Sequence, residues 1–330
     1  MDGPVTIPLP GPALAAASDG TTVWCAAAGL LTAYDPYGTP LRSVPLDATD
    51  DLTGLAAAPG LLACAYGAGT VRWLDPVTGQ PIGGLPFGGS LEIVAGATRG
   101  GTGGVLWVVD RNSDRVWRAS EPGVVSEPLT LPALDGYVPD DERLWWTARD
   151  DTFLRGGSTI VDLKTGASAR GGMAVCAGSV WIGARGALLR VGAWAAVPGP
   201  PLPLPPPPDP PGSPVPPQAS PAPPSGSPAS VSGSPVPPPT SPVPPADSPV
   251  PLSASSSGER VALLACVGGV LVGWPWRGGL FELNVTADTA PRPLAADPLG
   301  PLSRLVSTNR TVWAMSADRA TAQVIPLRPR

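Results

Sequence analysis

Short apolar runs, each ended by turn residues, form the main pattern along this chain, and the stretch 23–34 shows it clearly. One apolar run covers 23–26 and another covers 30–34, with Gly29 between them. Runs of this length on either side of a glycine are typical of two β-strands joined by a tight turn. The pattern therefore predicts a β-hairpin.

Two further runs extend this hairpin to a unit of four strands. The segment 35–38 reads Asp-Pro-Tyr-Gly, which is a type I turn signature, and the run 41–46 follows it. Pro45 lies inside that run, and because proline cannot donate a ladder hydrogen bond, the run is expected to be an edge strand. The run 13–18 precedes the hairpin, so that the complete unit covers 13–46.

The unit recurs along the chain. A second unit begins at Leu52, and its Asp-Pro turn at 75–79 lies about 40 residues after the first turn. A third unit covers 91–133, and further copies continue to the end of the sequence. A large ring at the start of the second strand is predicted to fill the wedge between neighbouring sheets. Five units carry a tryptophan at this position: Trp24, Trp107, Trp145, Trp181 and Trp313.

The fourth unit is the least regular copy. Its second strand at 144–146 is clear, but its first strand is weak. We interpret 158–162 as its third strand and 162–166 as the turn that follows. If this unit is not a true blade, the ring has six blades or is distorted.

A proline-rich segment interrupts the repeat. The residues 198–251 contain 26 of the 48 prolines of the chain and no aromatic residue. This composition predicts a disordered or polyproline-II segment, for which a spacer role is favoured over binding to an SH3-like pocket. Because the repeat resumes afterwards, we expect one domain with blades 1–5 at 1–197, a disordered Pro/Ser-rich insertion at 198–257, and blades 6–7 at 258–330.

The number of units and the closure of the ring follow from the same pattern. Without the insertion, the chain provides about 39 residues for each of seven units, close to the length of propeller repeats. The last unit lacks an outer strand, and the run 5–9 has the apolar-Pro-apolar shape of the outer strands. The expected fold is all-β, a seven-bladed β-propeller of four-stranded blades that is closed by the N-terminal strand.

Composition and charge argue against several classes of function. A net charge of -5 provides no basic field that would attract nucleic acid. The chain contains no histidine, the commonest general base and metal ligand. No leader or membrane span is predicted. We expect a monomeric, cytoplasmic protein without a cofactor.

The cysteines give no sign of a metal or redox site. They are far apart in the sequence and form no CxxC pair. We expect them to be small buried side chains of a reduced protein, without a disulfide. The four residues are Cys25, Cys64, Cys176 and Cys266.

The repeat resembles known propeller families. The apolar-Trp pair, the glycine turn and a strand that ends in Asp-Pro-x-Thr-Gly, as at 75–79, are similar to the YVTN and streptogramin-lyase-like repeats of bacterial propellers, and more loosely to PQQ-like repeats. The resemblance covers most of the chain and implies a propeller. It does not imply the lyase activity, because those enzymes use a histidine as general base. Gluconolactonase-like propellers hold a metal with Glu, Asn and Asp, and asparagine occurs here only at Asn112, Asn284 and Asn309.

Two functions fit a propeller of this kind. The favoured one is a non-enzymatic scaffold that binds a protein or peptide partner through a charged loop face. The alternative is a small-ligand-binding or metal-binding enzyme that uses loop carboxylates, with an ion such as Ca²⁺. The inner strands are predicted to be small and apolar, which argues against a polar catalytic channel.

The candidate binding residues lie in loops that share one face of a propeller. These loops join the second strand of a unit to the third, or one unit to the next. In the first kind lie Asp110, Arg111, Asp114, Arg149, Asp150, Asp151, Arg185, Arg277, Asp318 and Arg319; the second kind is expected to add Asp47, Asp50, Asp51, Asp140, Asp141 and Glu142.

Overall fold

Seven antiparallel sheets make up the part of the chain that the structure describes. The structure is a computed structural model, and every regular element within its described residues is a β-strand. The strands are numbered β1 to β29 along the chain. The described residues are 3–46, 51–97, 104–139, 143–148, 153–156, 159–163, 172–184, 187–192, 202–204, 261–275, 279–287, 290–294, 301–318 and 320–327.

The first four sheets follow chain order from their first strand to their last. The first sheet consists of β2 (Ala15–Ser18), β3 (Val23–Ala27), β4 (Leu30–Tyr34) and β5 (Pro40–Pro45). The second consists of β6 (Leu52–Ala58), β7 (Leu61–Tyr66), β8 (Thr70–Leu74) and β9 (Pro81–Pro86). The third consists of β10 (Leu91–Ala97), β11 (Gly104–Asp110) and β12 (Arg115–Glu121), with its outer position divided between β13 (Val124–Val125) and β14 (Leu129–Thr130). The fourth consists of β15 (Leu134–Pro139), β16 (Leu144–Ala148), β17 (Phe153–Gly156) and β18 (Thr159–Asp162).

The last three sheets continue the pattern, except that the seventh takes its outer strand from the start of the chain. The fifth sheet consists of β19 (Met173–Cys176), β20 (Ser179–Ala184), β21 (Ala187–Gly192) and β22 (Leu202–Pro203). The sixth consists of β23 (Val261–Val267), β24 (Val270–Pro275), β25 (Phe281–Asn284) and β26 (Arg292–Pro293). The seventh consists of β27 (Leu302–Ser307), β28 (Thr311–Ser316), β29 (Thr321–Pro326) and β1 (Val5–Pro8).

The first strands of the sheets form a closed inner ring. Each contacts the first strand of the next sheet, and β27 contacts β2 to complete the circle. On the outside, β1 pairs with β29 in antiparallel register from Val5 opposite Val324 to Pro8 opposite Thr321. The seven-bladed propeller and its closure by the N-terminal strand are therefore confirmed, and the six-bladed alternative is wrong.

Local turn chemistry explains the repeated unit. Between β3 and β4 the backbone is left-handed at Ala28 (φ 49°) and Gly29 (φ 78°), as a type I′ hairpin turn requires. After β4, the carboxylate of Asp35 accepts hydrogen bonds from the backbone N–H groups of Tyr37 and Thr39 at 2.9 and 2.8 Å. The Asp35 side chain therefore stabilises the predicted turn through hydrogen bonds to the turn's own backbone.

This turn also joins neighbouring sheets. The Nε1 of Trp313, in the seventh sheet, donates a hydrogen bond to the carbonyl oxygen of Pro36 at 3.2 Å. The hydroxyl of Thr311 donates to the same oxygen at 2.7 Å. The turn of the first sheet is thus anchored to the tryptophan of the sheet beside it.

One tryptophan lies in the core between each pair of neighbouring sheets. Seven clusters of buried side chains occupy the seven interfaces, and the five predicted tryptophans lie in five of them. The second and sixth sheets have Leu62 and Leu271 at the repeat position. Their clusters are completed instead by Trp73 from β8 and by Trp274 from the end of β24. The predicted core role of the tryptophans is confirmed, although these two were not foreseen.

The fourth sheet differs from the sequence interpretation. The strand predicted at 158–162 as the third strand is the outer strand β18, and the third strand is β17. Gly156 ends β17 opposite Trp145, where an added Cβ would lie 2.5 Å from a ring carbon of that tryptophan. Because Gly156 has no side chain, β17 leaves room for the ring of Trp145. The Asp-turn pattern does not identify β17, since this strand is not followed by such a turn.

A disulfide joins the fifth and sixth sheets. Cys176 and Cys266 lie near the ends of the neighbouring inner strands β19 and β23, with their Cα atoms 5.4 Å apart. The prediction of four reduced cysteines is wrong for this pair, because the ring brings together positions that are 90 residues apart in sequence. Cys25 and Cys64 are free and buried, and burial raises the pKa of each thiol to about 12.

The ring is one unit, formed by Met1–Pro207 together with Glu259–Arg330. The remaining unit, Pro208–Gly258, lies outside the described residues. Of the predicted insertion at 198–257, only 202–204 is described, so its disorder and its bounds stay predictions. No helix long and apolar enough to span a membrane occurs among the residues that the structure describes.

Candidate binding face

Two sets of loops lie at one end of the ring, because neighbouring strands in every sheet are antiparallel. One set joins the second strand of each sheet to the third. The other set joins the outer strand of one sheet to the inner strand of the next. This end is named the upper face, and residues at the start of an inner strand lie close to it, around the central opening.

Arg111 and Glu92 form an ion pair at this opening. Arg111 follows β11, and Glu92 is the second residue of the inner strand β10. The Nε of Arg111 donates to Oε1 of Glu92 at 2.7 Å, and its Nη2 donates to Oε2 at 3.0 Å. Its Nη1 donates to the carbonyl oxygen of Asp135 on β15 at 2.7 Å. The pair is bidentate, and 37% of the Arg111 side chain and 42% of the Glu92 side chain are exposed. Through the hydrogen bond to Asp135, Arg111 also links the third sheet to the fourth.

Tyr137, also on β15, completes the network. Its hydroxyl donates to Oε2 of Glu92, and the guanidinium of Arg111 lies over its ring, 5.1 Å from the centroid. Burial would raise the pKa of Glu92, but hydrogen bonds from Arg111 and Tyr137 and the charge of Arg111 outweigh it and lower that pKa. Burial and the adjacent carboxylate raise the pKa of Tyr137. At neutral pH the network therefore holds a carboxylate, a guanidinium and a neutral phenol.

Arg304 lies on another side of the same opening. It belongs to the inner strand β27 of the seventh sheet, and its Nη2 donates to the carbonyl oxygen of Leu14 at 3.2 Å. Burial lowers the pKa of this guanidinium, and electrostatic interactions with Cys25 and Glu92 oppose that shift. The opening therefore has two arginines, Arg111 and Arg304, and two acidic residues on its inner strands, Glu92 on β10 and Asp135 on β15.

The described loop carboxylates hold their own loops in shape. Asp110 is 6% exposed and accepts hydrogen bonds from the backbone N–H of Asn112 at 3.0 Å and the hydroxyl of Ser113 at 2.5 Å. Asp318 accepts from the hydroxyl of Ser316 at 2.8 Å. These carboxylates stabilise turns and are not directed together at one point.

The same is true of two more acidic residues on this face. Asp51 accepts a hydrogen bond from the N–H of Ala68 at 3.0 Å, and Asp114 accepts one from the N–H of Ala133 at 2.8 Å. Within the described ranges, no group of three or more His, Cys, Asp or Glu side chains could hold a metal ion. The metal-dependent alternative gains no support from this part of the chain.

Three of the nine candidate residues are described, and only one of them takes part in the network. Asp110, Arg111 and Asp318 belong to upper-face loops, as predicted, and Arg111 alone reaches Glu92 and Tyr137. The other six lie outside the described residues: Arg149, Asp150, Asp151, Arg185, Arg277 and Arg319. Their role stays a prediction.

Two sequence interpretations of this face are wrong. The acidic segment 140–142 was interpreted as a link between two units. It lies outside the described residues, but the strands before and after it, β15 and β16, are the first and second strands of one sheet, so it joins strands within the fourth unit. The predicted apolar ring centre is also incorrect at its upper opening, where Glu92, Tyr137 and Arg304 lie on inner strands. A charged or phenolic residue inside an otherwise apolar inner strand is the signal that would have identified them.

Comparisons with known proteins support the fold and leave the family open. No protein-family model matches the chain, and no curated protein matches its sequence. Among solved structures, a KlHsv2 variant with loop 6CD replaced by a Gly-Ser linker is similar, with a TM-score of 0.56, 7% identity, and coverage of 92% of this chain and 89% of that chain. BamB from Moraxella catarrhalis gives a TM-score of 0.49 and 12% identity, with coverage of 96% of this chain and 84% of that chain. At 7% identity the likeness to the KlHsv2 variant concerns the fold alone, so the resemblance to YVTN and streptogramin-lyase-like repeats stays a prediction.

Proposed function

We propose that the protein is a non-enzymatic scaffold that binds a protein or peptide partner through the upper face. The observation that carries this proposal is the half-exposed network of Arg111, Glu92 and Tyr137 at the central opening. A partner that covers the opening would contact this network at the centre of the interface.

The chemistry of the network suits recognition. Arginine and tyrosine are among the residues that most often dominate binding energy at protein interfaces. Here both side chains are already held by hydrogen bonds and stacking before a partner arrives. Side chains fixed in advance lose little conformational entropy on binding, which favours affinity.

The enzyme alternative has no comparable observation in its favour. Catalysis by loop carboxylates needs acidic groups that converge on one reacting centre. Asp110, Asp114 and Asp318 instead accept hydrogen bonds within or beside their own loops.

Charge reversal on this face tests the proposal. Arg149 and Arg185 follow the second strands of the fourth and fifth sheets, so the double variant Arg149→Glu/Arg185→Glu changes two upper-face loops. A control with the same change in charge is Arg190→Glu/Arg292→Glu, because these arginines lie within β21 and the outer strand β26.

The assay is affinity capture from an extract of the native cells, followed by mass spectrometry. We expect partners captured by the wild-type protein and by the control to be lost with the upper-face variant. The proposal is wrong if the upper-face variant retains every partner, or if the control loses the same partners.

The cellular compartment is a separate question. The expected cytoplasmic location is a reducing compartment, whereas stable disulfides such as Cys176–Cys266 usually form in oxidising compartments. Alkylation of the protein directly in its native cells, followed by mass spectrometry, measures how many of the four cysteines are oxidised. Complete labelling of Cys176 and Cys266 would support the cytoplasmic location.

A further inference from the structure

The junction between the fifth and sixth sheets differs from the other six junctions of the ring in its connection along the chain. At each of the others, the outer strand of one sheet and the inner strand of the next are joined by at most ten residues, and the longest connection is 163–172. Here β22 ends at Pro203 and β23 begins at Val261, so that 57 residues (204–260) separate them. The chain itself therefore holds these two sheets together less closely than any other pair of neighbours.

The disulfide of the protein lies at this same junction. Cys176 is the last residue of β19 and Cys266 lies near the end of β23, so the bond joins the two inner strands at the end of the ring opposite the upper face. The other two cysteines are buried in other interfaces, Cys25 between the seventh and first sheets and Cys64 between the first and second. The bond therefore supplies a covalent link at the junction that has no short connection, and neither free thiol is placed to exchange with it.

Apolar packing remains at this junction when the bond is broken. Trp181 of the fifth sheet lies in one buried cluster with Leu271 and Phe281 of the sixth sheet. Reduction of the disulfide removes none of these contacts, so we expect the reduced ring to stay folded. Without the covalent link, however, the two sheets can separate transiently at this one place, which is a local opening and not global unfolding.

The two cysteines of the bond differ in their exposure. Cys176 is 1% exposed, whereas Cys266 is only partly buried at the edge of the same cluster. Disulfide exchange requires that a thiolate reaches one of the two sulfurs, and exposed disulfides are more often the labile and regulatory ones. An external thiol therefore approaches this bond from the side of Cys266.

We propose that Cys176–Cys266 is a reversible redox switch that closes the junction between the fifth and sixth sheets when it is oxidised and lets this junction open when it is reduced. The reductant is a small thiol of the glutathione class. Its thiolate attacks the Sγ of Cys266 and forms a mixed disulfide, while the Sγ of Cys176 leaves with the electron pair of the broken bond and takes up a proton. A second thiol then attacks the reductant's sulfur in the mixed disulfide, which releases the oxidised reductant and leaves Cys266 as a protonated thiol.

Hydrogen exchange followed by mass spectrometry tests the proposal. The whole chain is oxidised with glutathione disulfide or reduced with glutathione, and exchange is compared in peptides from β19 and β23. With the disorder predicted for 204–260, a connection of 57 residues holds two sheets at an effective concentration about tenfold lower than a connection of ten residues does. We therefore expect reduction to raise the exchange rate of β19 and β23 about tenfold relative to that of β2 and β6, whose sheets are joined by 46–51.

Two double variants assign the response to the disulfide. Cys176→Ala/Cys266→Ala should exchange as the reduced wild type does, with or without glutathione. Cys25→Ala/Cys64→Ala removes the same number of cysteines but keeps the bond, so it should show the full response to reduction. Renewed oxidation of the reduced wild type should restore slow exchange in β19 and β23.

Three results would overturn the proposal. Exchange in β19 and β23 that does not change on reduction would show that the bond does not control the junction. An equal rise in all seven sheets would show that the bond stabilises the ring as a whole. A bond that resists glutathione, or that does not form with glutathione disulfide, is not a reversible switch. The measurement needs no partner, so its outcome is independent of the proposed binding face.

Discussion

Removal of the Cys176–Cys266 disulfide should substantially destabilise the ring. The bond closes a loop of 90 residues, and the fifth and sixth sheets are otherwise connected in sequence only through the stretch that contains the proline-rich insertion. The loop-entropy relation gives a loss of about 4.6 kcal/mol in the free energy of unfolding at 25 °C for a loop of this length.

Urea unfolding followed by tryptophan fluorescence measures this loss, because a buried tryptophan lies in each interface between sheets. The wild type should lose stability on addition of a reductant, and Cys176→Ala/Cys266→Ala should match the reduced wild type. The same reductant should leave that double variant unchanged. Reduction without effect on the wild-type unfolding curve would refute the reasoning.

Shortening the insertion gives a second, quantitative check. Deletion of 206–253 reduces the loop closed by the disulfide from 90 to about 42 residues. The stabilisation by the bond should then fall by about 0.7 kcal/mol, measured as the difference between oxidised and reduced forms of the deletion variant. A soluble deletion variant with the same melting behaviour would also support the insertion as part of a single domain, whereas loss of folding would contradict it.

Three further predictions concern the interfaces and the network. Gly79→Ala should destabilise the protein by about 1 to 3 kcal/mol in urea unfolding, because φ is 77° and the new Cβ would lie 3.0 Å from a side chain of the first sheet. Gly83→Ala, with no atom within 4 Å of the new Cβ, should change little, and an equal loss would contradict this account. Trp313→Phe should lose about 1 kcal/mol more than Trp24→Phe, because the indole N–H of Trp313 donates a hydrogen bond, whereas that of Trp24 has no partner among the described residues. Equal losses in the two variants would show that this hydrogen bond contributes no net stability. Because the folded-state pKa of Glu92 is below its ordinary value of 4.5, its ionised form stabilises the fold above that pH and this contribution is lost as the pH falls further. Thermal melts from pH 7 to pH 3 should therefore show a smaller decline for Glu92→Gln than for the wild type, and parallel declines would contradict the depressed pKa.

The architecture was accessible from the sequence because each blade repeats the same local chemistry. The glycine at position 29, the aspartate at position 35 and the prolines of the outer strands each specify their own part of a unit, and the structure uses them in that way. The closing strand Val5–Pro8 could be identified for the same reason. It has the apolar-Pro-apolar sequence of an outer strand, but the strand with which it pairs, β29, lies at the other end of the chain.

The errors come from features that depend on distant parts of the chain. The disulfide joins cysteines whose proximity exists only in the closed ring, and sequence spacing has no information on it. Trp73 replaces a missing repeat tryptophan from a different strand, which the search for a fixed position could not detect. The network around Glu92 unites residues from two sheets, and each of them alone looks like an exception in an apolar strand. Recognition of such a site requires the register between sheets, which the repeat pattern does not contain.

The pairing of β1 with β29 has a consequence for synthesis on the ribosome. Pro8 lies opposite Thr321, so the outer strand of the seventh sheet emerges long before the strand with which it pairs. At ordinary translation rates the delay is roughly 15 to 60 s, during which the other six sheets are made. A proline at the end of β1 limits unwanted strand pairing in that interval, because it offers no backbone donor to a foreign edge. In the nascent chain, β1 therefore stays unpaired until β29 has been synthesised.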